Sequence, residues 1–151
     1  MDVRIEEFIE GKEEIVIRCK KKTNYIDGLI KYINGYHKKM SVIDDGKKVL
    51  IDPKEVYYFE SVDNIVFVYL KDQVYQIKYT LSELTEKLSH CGFFRCSKSM
   101  VININTILSL KSQAGNRIDA TLKNGEHIVI SRRYAKEFRR ILGGGQWWIS
   151  Y

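Results

Sequence analysis

The residues whose chemistry stands out form two short clusters. Ser97-Lys98-Ser99 places a cation and two hydroxyls between apolar runs, with Phe93-Phe94 before them and Val101-Ile102 after, then Ile107. Short apolar runs bounded by polar clusters read as buried strands joined by a loop, so the polar centre projects from a packed base. Its donors suit phosphate oxygens and base edges. An ordinary hairpin with a polar turn fits the same stretch equally well. The second cluster is Arg132-Arg133, in the first turn of a helix that Ser131 can cap. The helix dipole disfavours cations there, whereas the backbone amides favour an anion, so these arginines are poor for helix stability and suited to reaching phosphate. Arginine also reads guanine by a bidentate contact in the major groove. Lys136, Arg139 and Arg140, further along that helix, read as a solvated basic end.

No arrangement of groups suits catalysis, a cofactor or a small-molecule substrate. His37, His90 and His127 lack metal-ligand spacing. Neither a Gly-x-Ser-x-Gly elbow nor a phosphate-cradling glycine loop occurs. Cys19, Cys91 and Cys96 are odd in number and contain no Cys-x-x-Cys pair. They read as reduced, partly buried thiols, with a redox-sensing role for Cys96 beside the basic loop as the alternative.

The elements that must position the two clusters follow from patterning. The chain has 151 residues, 44% hydrophobic and 29% charged, which is globular texture and enough for one domain with a core plus a short extension. A net charge of +6 tilts the partners towards nucleic acid or an anionic surface. No apolar run is long enough to span a bilayer, and Met1-Asp2-Val3-Arg4 opens directly into charged sequence, so a cytoplasmic location is expected.

Residues 2–9 and 14–19 read as two strands, and a helix begins after a cap at Asn24 and stops near Gly35. Asp44-Asp45-Gly46 signals a hairpin between residues 40–43 and 47–51. Strands are expected over 56–60, 65–70 and 73–79, then a helix opened by the capping box Thr80-Leu81-Ser82-Glu83. Residues 107–110 continue as a strand. Residues 117–122 and 127–130 pair across Asn124-Gly125, a type I′ signal. The last helix precedes Gly143-Gly144-Gly145 and an aromatic tail with Trp147-Trp148.

Five pieces occur in order: Val56-Tyr57-Tyr58-Phe59-Glu60-Ser61, Tyr79-Thr80-Leu81-Ser82-Glu83-Leu84, Phe94-Arg95-Cys96-Ser97-Lys98-Ser99-Met100-Val101-Ile102-Asn103, Leu122-Lys123-Asn124-Gly125-Glu126 and Ile130-Ser131-Arg132-Arg133-Tyr134. Together they resemble the LytTR family of bacterial DNA-binding domains, over residues 53–142. The resemblance implies a mainly β fold with short helices, a LytTR-like antiparallel β domain preceded by a short β/α N-terminal extension. It implies binding of duplex DNA through loops that enter successive major grooves and bend the duplex. Three places match the family's contact loops: Val62-Asp63-Asn64, Ser97-Lys98-Ser99, and Arg132 with Arg133. Lys98 and Arg132 are expected on base edges, Ser97, Ser99 and Asn64 on phosphate or in loop support, and Asn103 as a strand-loop brace. Family members often carry His where Ser97 stands, and Asp63 would repel phosphate.

The expected organisation is a β-β-α extension over 1–45, a candidate dimerisation region, then the DNA-binding domain over 46–142 and a Gly/aromatic tail over 143–151. The first part lacks the length, acidic cluster and parallel α/β pattern of a receiver domain, so the chain looks like the stand-alone type. The expected function is a sequence-specific transcription regulator, a homodimer on spaced repeats, with a regulatory protein partner, such as a membrane-bound one, as a further candidate. The alternative is a protein-interaction module using exposed aromatics and the Trp147-Trp148 tail.

Overall fold

A computed structural model describes residues 4–35 and 39–143. His37 and the Trp147-Trp148 tail lie outside the described residues. Helix α1 (Asn24–Gly35) comes first. Then come β1 (Met40–Asp44), β2 (Lys47–Ile51), β3 (Tyr58–Val62), β4 (Ile65–Tyr69), β5 (Val74–Ile77), α2 (Leu81–Leu88), β6 (Phe93–Ser97) and β7 (Met100–Asn103). The chain continues through β8 (Ile107–Gln113), β9 (Arg117–Leu122), β10 (His127–Ile130) and α3 (Arg132–Ile141). The strands form a seven-stranded sheet in the order β2-β1-β5-β4-β3-β7-β6 and a three-stranded sheet β10-β9-β8. Every pairing is antiparallel, so short connections suffice. The mainly β architecture with few short helices agrees with the sequence reading.

Turn chemistry sets the registers. Asp45 and Gly46 take φ of 47° and 75°, and Asp63 and Asn64 take 50° and 63°. Two consecutive positive φ values make each a type I′ turn, whose twist matches the strands it joins. Val62 pairs with Ile65, so the expected three-residue loop there is a two-residue turn. The Asn124-Gly125 turn also differs from expectation. Gly125 has φ 88° but Asn124 is not in the left-handed region. Leu122 N donates to Glu126 O at 2.8 Å and Gly125 N to Leu122 O at 2.9 Å, closing a three-residue loop with Gly at its left-handed position.

The N-terminal strands do not form. Residues 4–23 contain no strand or helix, and the side chains of Ile5, Ile9, Ile15 and Val16 are 82%, 102%, 72% and 63% exposed. Alternation makes a segment suitable for a sheet, but a strand exists only where a neighbour satisfies its backbone, and among the described residues no strand pairs with these segments. Helix α1 starts one residue earlier than expected. Thr23, not Asn24, is the cap: its Oγ1 accepts from Ile26 N at 3.4 Å and its carbonyl from Asp27 N at 2.9 Å. Strand β1 pairs with β2 and reaches β5, so the sheet takes in residues ahead of position 46.

Two apolar clusters hold the fold. One packs α2, through Leu81 and Leu84, on Val42, Ile51, Phe59, Val68 and Phe93 of the large sheet. The capping box sets the start of α2: Thr80 Oγ1 accepts from Glu83 N at 3.1 Å, and Glu83 Oε2 accepts from Thr80 N at 3.0 Å. The other packs Phe138 and Ala135 of α3 on Phe94, Cys96 and Ile102, and on Ile118, Leu122 and Ile130 of the small sheet. Phe94 and Phe138 meet at 5.4 Å between ring centres. Burying each such ring contributes about 2–3 kcal/mol before entropy is counted.

Candidate nucleic-acid interface

The site is built on β6, whose apolar positions are buried while Ser97, Lys98 and Ser99 emerge at its end. Phe93, Phe94 and Cys96 are buried, Ser97 is half-buried, and Lys98 and Ser99 are exposed. The register slips between Arg95 and Ser97, a bulge that re-aims the tip of the hairpin. Ser97 Oγ accepts from Ser99 N at 3.2 Å, an internal turn bond. Arg95 braces the turn from outside. Its Nε donates to Ser97 O at 2.7 Å and its Nη2 donates to Lys98 O. Sequence reasoning gave Arg95 no role. The only signal was an arginine one position ahead of a buried cysteine in a strand otherwise made for the core.

Backbone hydrogen bonds fasten the other two clusters to this hairpin. Ser61 N, in β3, donates to Ser99 O at 2.8 Å, which ties the Asp63-Asn64 hairpin to the Lys98 turn. Asn64, Arg95 and Lys98 line one open groove, together with Lys78 and Ser82. Ser131 N donates to Cys96 O at 2.9 Å, which sets the first turn of α3 beside the end of β6. Ser131 stands at the cap position, as expected, but its side chain makes no cap hydrogen bond. Its carbonyl accepts from Tyr134 and Ala135. Arg132 and Arg133 are exposed in that first turn, and the Arg133 guanidinium lies 5.6 Å from the centre of the Tyr134 ring. Further along, Arg140 pairs with Glu137 at 2.9 Å through Nε.

Asn103 sits at the other end of β7 from the Lys98 turn. It is 1% exposed; its Nδ2 donates to Val56 O at 2.8 Å and its Oδ1 accepts from Asn105 N at 3.1 Å. Its side chain thus joins the entry of β3 to the turn before β8, rather than touching the Ser97 loop. Cys96 is fully buried, and burial pushes its thiol up to about 12. A thiol held protonated inside the core is a poor redox sensor, which removes the chemistry behind that alternative. Among the described residues no group of His, Cys, Asp or Glu could hold a metal ion, and no helix is long and apolar enough to cross a membrane.

The domain that carries this surface is similar to known proteins. Residues 46–143 match the family model of the LytTr DNA-binding domain, and the chain belongs to that family. The solved LytTr DNA-binding domain of a Bacillus cereus protein, described as a methyl-accepting/DNA response regulator, superposes with a TM-score of 0.66 at 26% identity. It covers 70% of this chain and 96% of its own. The transcriptional regulatory protein YpdB of Escherichia coli K12 is 27% identical over 104 residues, 68% of this chain and 43% of YpdB. The sensory transduction protein LytT of Bacillus subtilis is 31% identical over 94 residues, 62% of this chain and 39% of LytT. The chain thus spans less than half the length of these curated relatives.

Proposed function

We propose that the chain is a sequence-specific transcription regulator, acting as a homodimer on duplex DNA in the cytoplasm. In this reading Lys98 and Arg132 contact base edges in successive major grooves, while Ser97, Ser99, Asn64 and Arg133 contact phosphate. In this reading a regulatory protein partner supplies the input signal.

One observation carries the proposal. Two clusters far apart in sequence are joined to the hairpin that carries the third by the Ser61–Ser99 and Ser131–Cys96 backbone hydrogen bonds. A basic surface assembled this way, on rigid strands, can hold its side chains in the fixed spacing that groove recognition needs.

The test is fluorescence anisotropy with duplex DNA from the protein's own promoter against scrambled duplex, at two salt concentrations. The expected preference for promoter over scrambled DNA is at least about a thousandfold. Affinity should fall steeply with salt as counterions are released. Lys98→Ala and Arg132→Ala should each lose about 1–3 kcal/mol of that preference. Equal binding to both duplexes overturns sequence specificity, and variants that bind as wild type remove these two residues from the interface.

A further inference from the structure

The segment that fails to become a strand and the edge strand β2 complement each other residue by residue. β2 ends the large sheet and pairs only with β1, leaving its outer backbone edge open among the described residues. Its sequence is Lys47-Lys48-Val49-Leu50-Ile51, with Lys47 and Lys48 exposed and Leu50 67% exposed. Residues 13–17 are Glu13-Glu14-Ile15-Val16-Ile17. Aligned in parallel, the two glutamates fall beside the two lysines and the three β-branched residues beside the apolar ones. In a parallel pair, aligned residues share a face, so Ile15 and Ile17 would extend the face of Val49 and the buried Ile51, and Val16 would cover Leu50. Antiparallel alignment of the same residues would set Glu13 against the buried Ile51 and Ile17 against Lys47, which parts the opposite charges and puts a carboxylate beside the core.

We propose that residues 13–17 of one protomer add as a parallel strand to the β2 edge of a second copy, and that the exchange is reciprocal. An exposed apolar edge strand is a template for another chain, and strand addition satisfies its free backbone while pockets take alternate side chains. Both halves of the match lie on one chain, yet Ile15, Val16 and Leu50 are all exposed, so the segment does not cover its own edge. A reciprocal exchange closes with two-fold symmetry and covers the β2 edge of both protomers. The β2 edge is opposite β6 in the sheet, so dimerisation there leaves the Lys98 turn uncovered. This inference deepens the homodimer proposed above and depends on that reading for the number of copies.

The test measures the mass of the full chain without DNA, by sedimentation velocity across a dilution series. Wild type should be a dimer. Glu13→Lys with Glu14→Lys, or Lys47→Glu with Lys48→Glu, should weaken dimerisation at least about tenfold, and the four changes combined should restore it. Val16→Pro, in a segment without structure in the single chain, should also give monomer by removing a backbone donor. In a Cys19→Ser background, Val16→Cys with Leu50→Cys should oxidise to a covalent dimer. A dimer indifferent to these changes overturns the β2 surface and leaves the homodimer standing. A monomer at every concentration overturns both, while promoter binding is read separately by anisotropy. A disulfide formed within single chains overturns the second copy as occupant.

Discussion

The Tyr58 hydroxyl donates a 2.7 Å hydrogen bond to the Glu126 carboxylate, joining β3 of the large sheet to the loop between β9 and β10 of the small one. Tyr58 also stacks on Tyr69, with ring centres 4.4 Å apart. Burial, followed by the bond to Glu126, raises the Tyr58 phenol well above its ordinary value of 10.0. The folded state therefore holds the proton more tightly than the unfolded state does. The resulting stability is fully present below about pH 10 and is lost as pH rises beyond it. Tyr58→Phe should cost about 1.5–3 kcal/mol near neutral pH, the worth of a hydrogen bond to a charged acceptor. Urea midpoints measured from about pH 8 to about pH 11 should show the gap to wild type narrowing. A constant gap would mean that the phenol does not titrate differently in the two states.

Arg95 holds the Lys98 turn through the carbonyls of Ser97 and Lys98, so under the proposed function it would act on DNA through the turn. Arg95→Ala should weaken promoter binding about tenfold, because the turn loses its pre-set geometry. The salt slope separates this role from direct phosphate contact. Removing a cation that touches phosphate lowers the slope by about one, and Arg95→Ala should leave it unchanged. A slope reduced as much as by loss of a contacting lysine would make Arg95 a DNA contact instead.

The thiols should differ in reactivity in a fixed order. Cys19 is exposed, Cys91 is half-buried and Cys96 is fully buried. Burial raises both the Cys91 and the Cys96 thiols, Cys96 to about 12. Reaction with a coloured disulfide reagent should therefore label Cys19 first, Cys91 slowly, and Cys96 only on unfolding. Cys96→Ser should leave promoter affinity the same under oxidising and reducing conditions. Rapid labelling of Cys96 in the folded protein would reopen a redox role.

Local chemistry was legible in the sequence where a few neighbouring residues decide the geometry. Asp45-Gly46 could only make a tight hairpin, and Thr80 with Glu83 carries both halves of a reciprocal cap. The same local logic misjudged Asn124-Gly125, because that dipeptide also fits a three-residue loop in which only the glycine is left-handed. Alternation over residues 2–9 and 14–19 named segments able to pair but could not supply the neighbour. The joins that assemble the candidate site were not legible at all. Ser61 N to Ser99 O, Ser131 N to Cys96 O and the Arg95 brace all run to backbone carbonyls, and a carbonyl leaves no mark in the residue code.

Asn103 and Gly92 together hold the corner where β7 turns into β8. Asn103 is buried, with its Nδ2 on Val56 O at 2.8 Å and its Oδ1 on Asn105 N at 3.1 Å. Asn105 in turn donates from Nδ2 to Cys91 O at 3.2 Å. Gly92 has φ 87°, and a Cβ there would stand 2.6 Å from that same Asn105 Nδ2. Asn103→Ala strands the Val56 carbonyl in the core and should cost about 1–3 kcal/mol. Gly92→Ala forces a left-handed alanine and displaces the Asn105 amide, and should cost about 1–2 kcal/mol. The two sites share Asn105, so the double variant should lose less than the sum of the singles, which chemical denaturation of all four proteins would measure. Strict additivity would mean that Asn105 does not couple them. Neither residue lies at the Lys98 turn, so both folded variants should keep wild-type promoter affinity below their unfolding transitions. A loss of affinity without loss of stability would give this corner a part in binding.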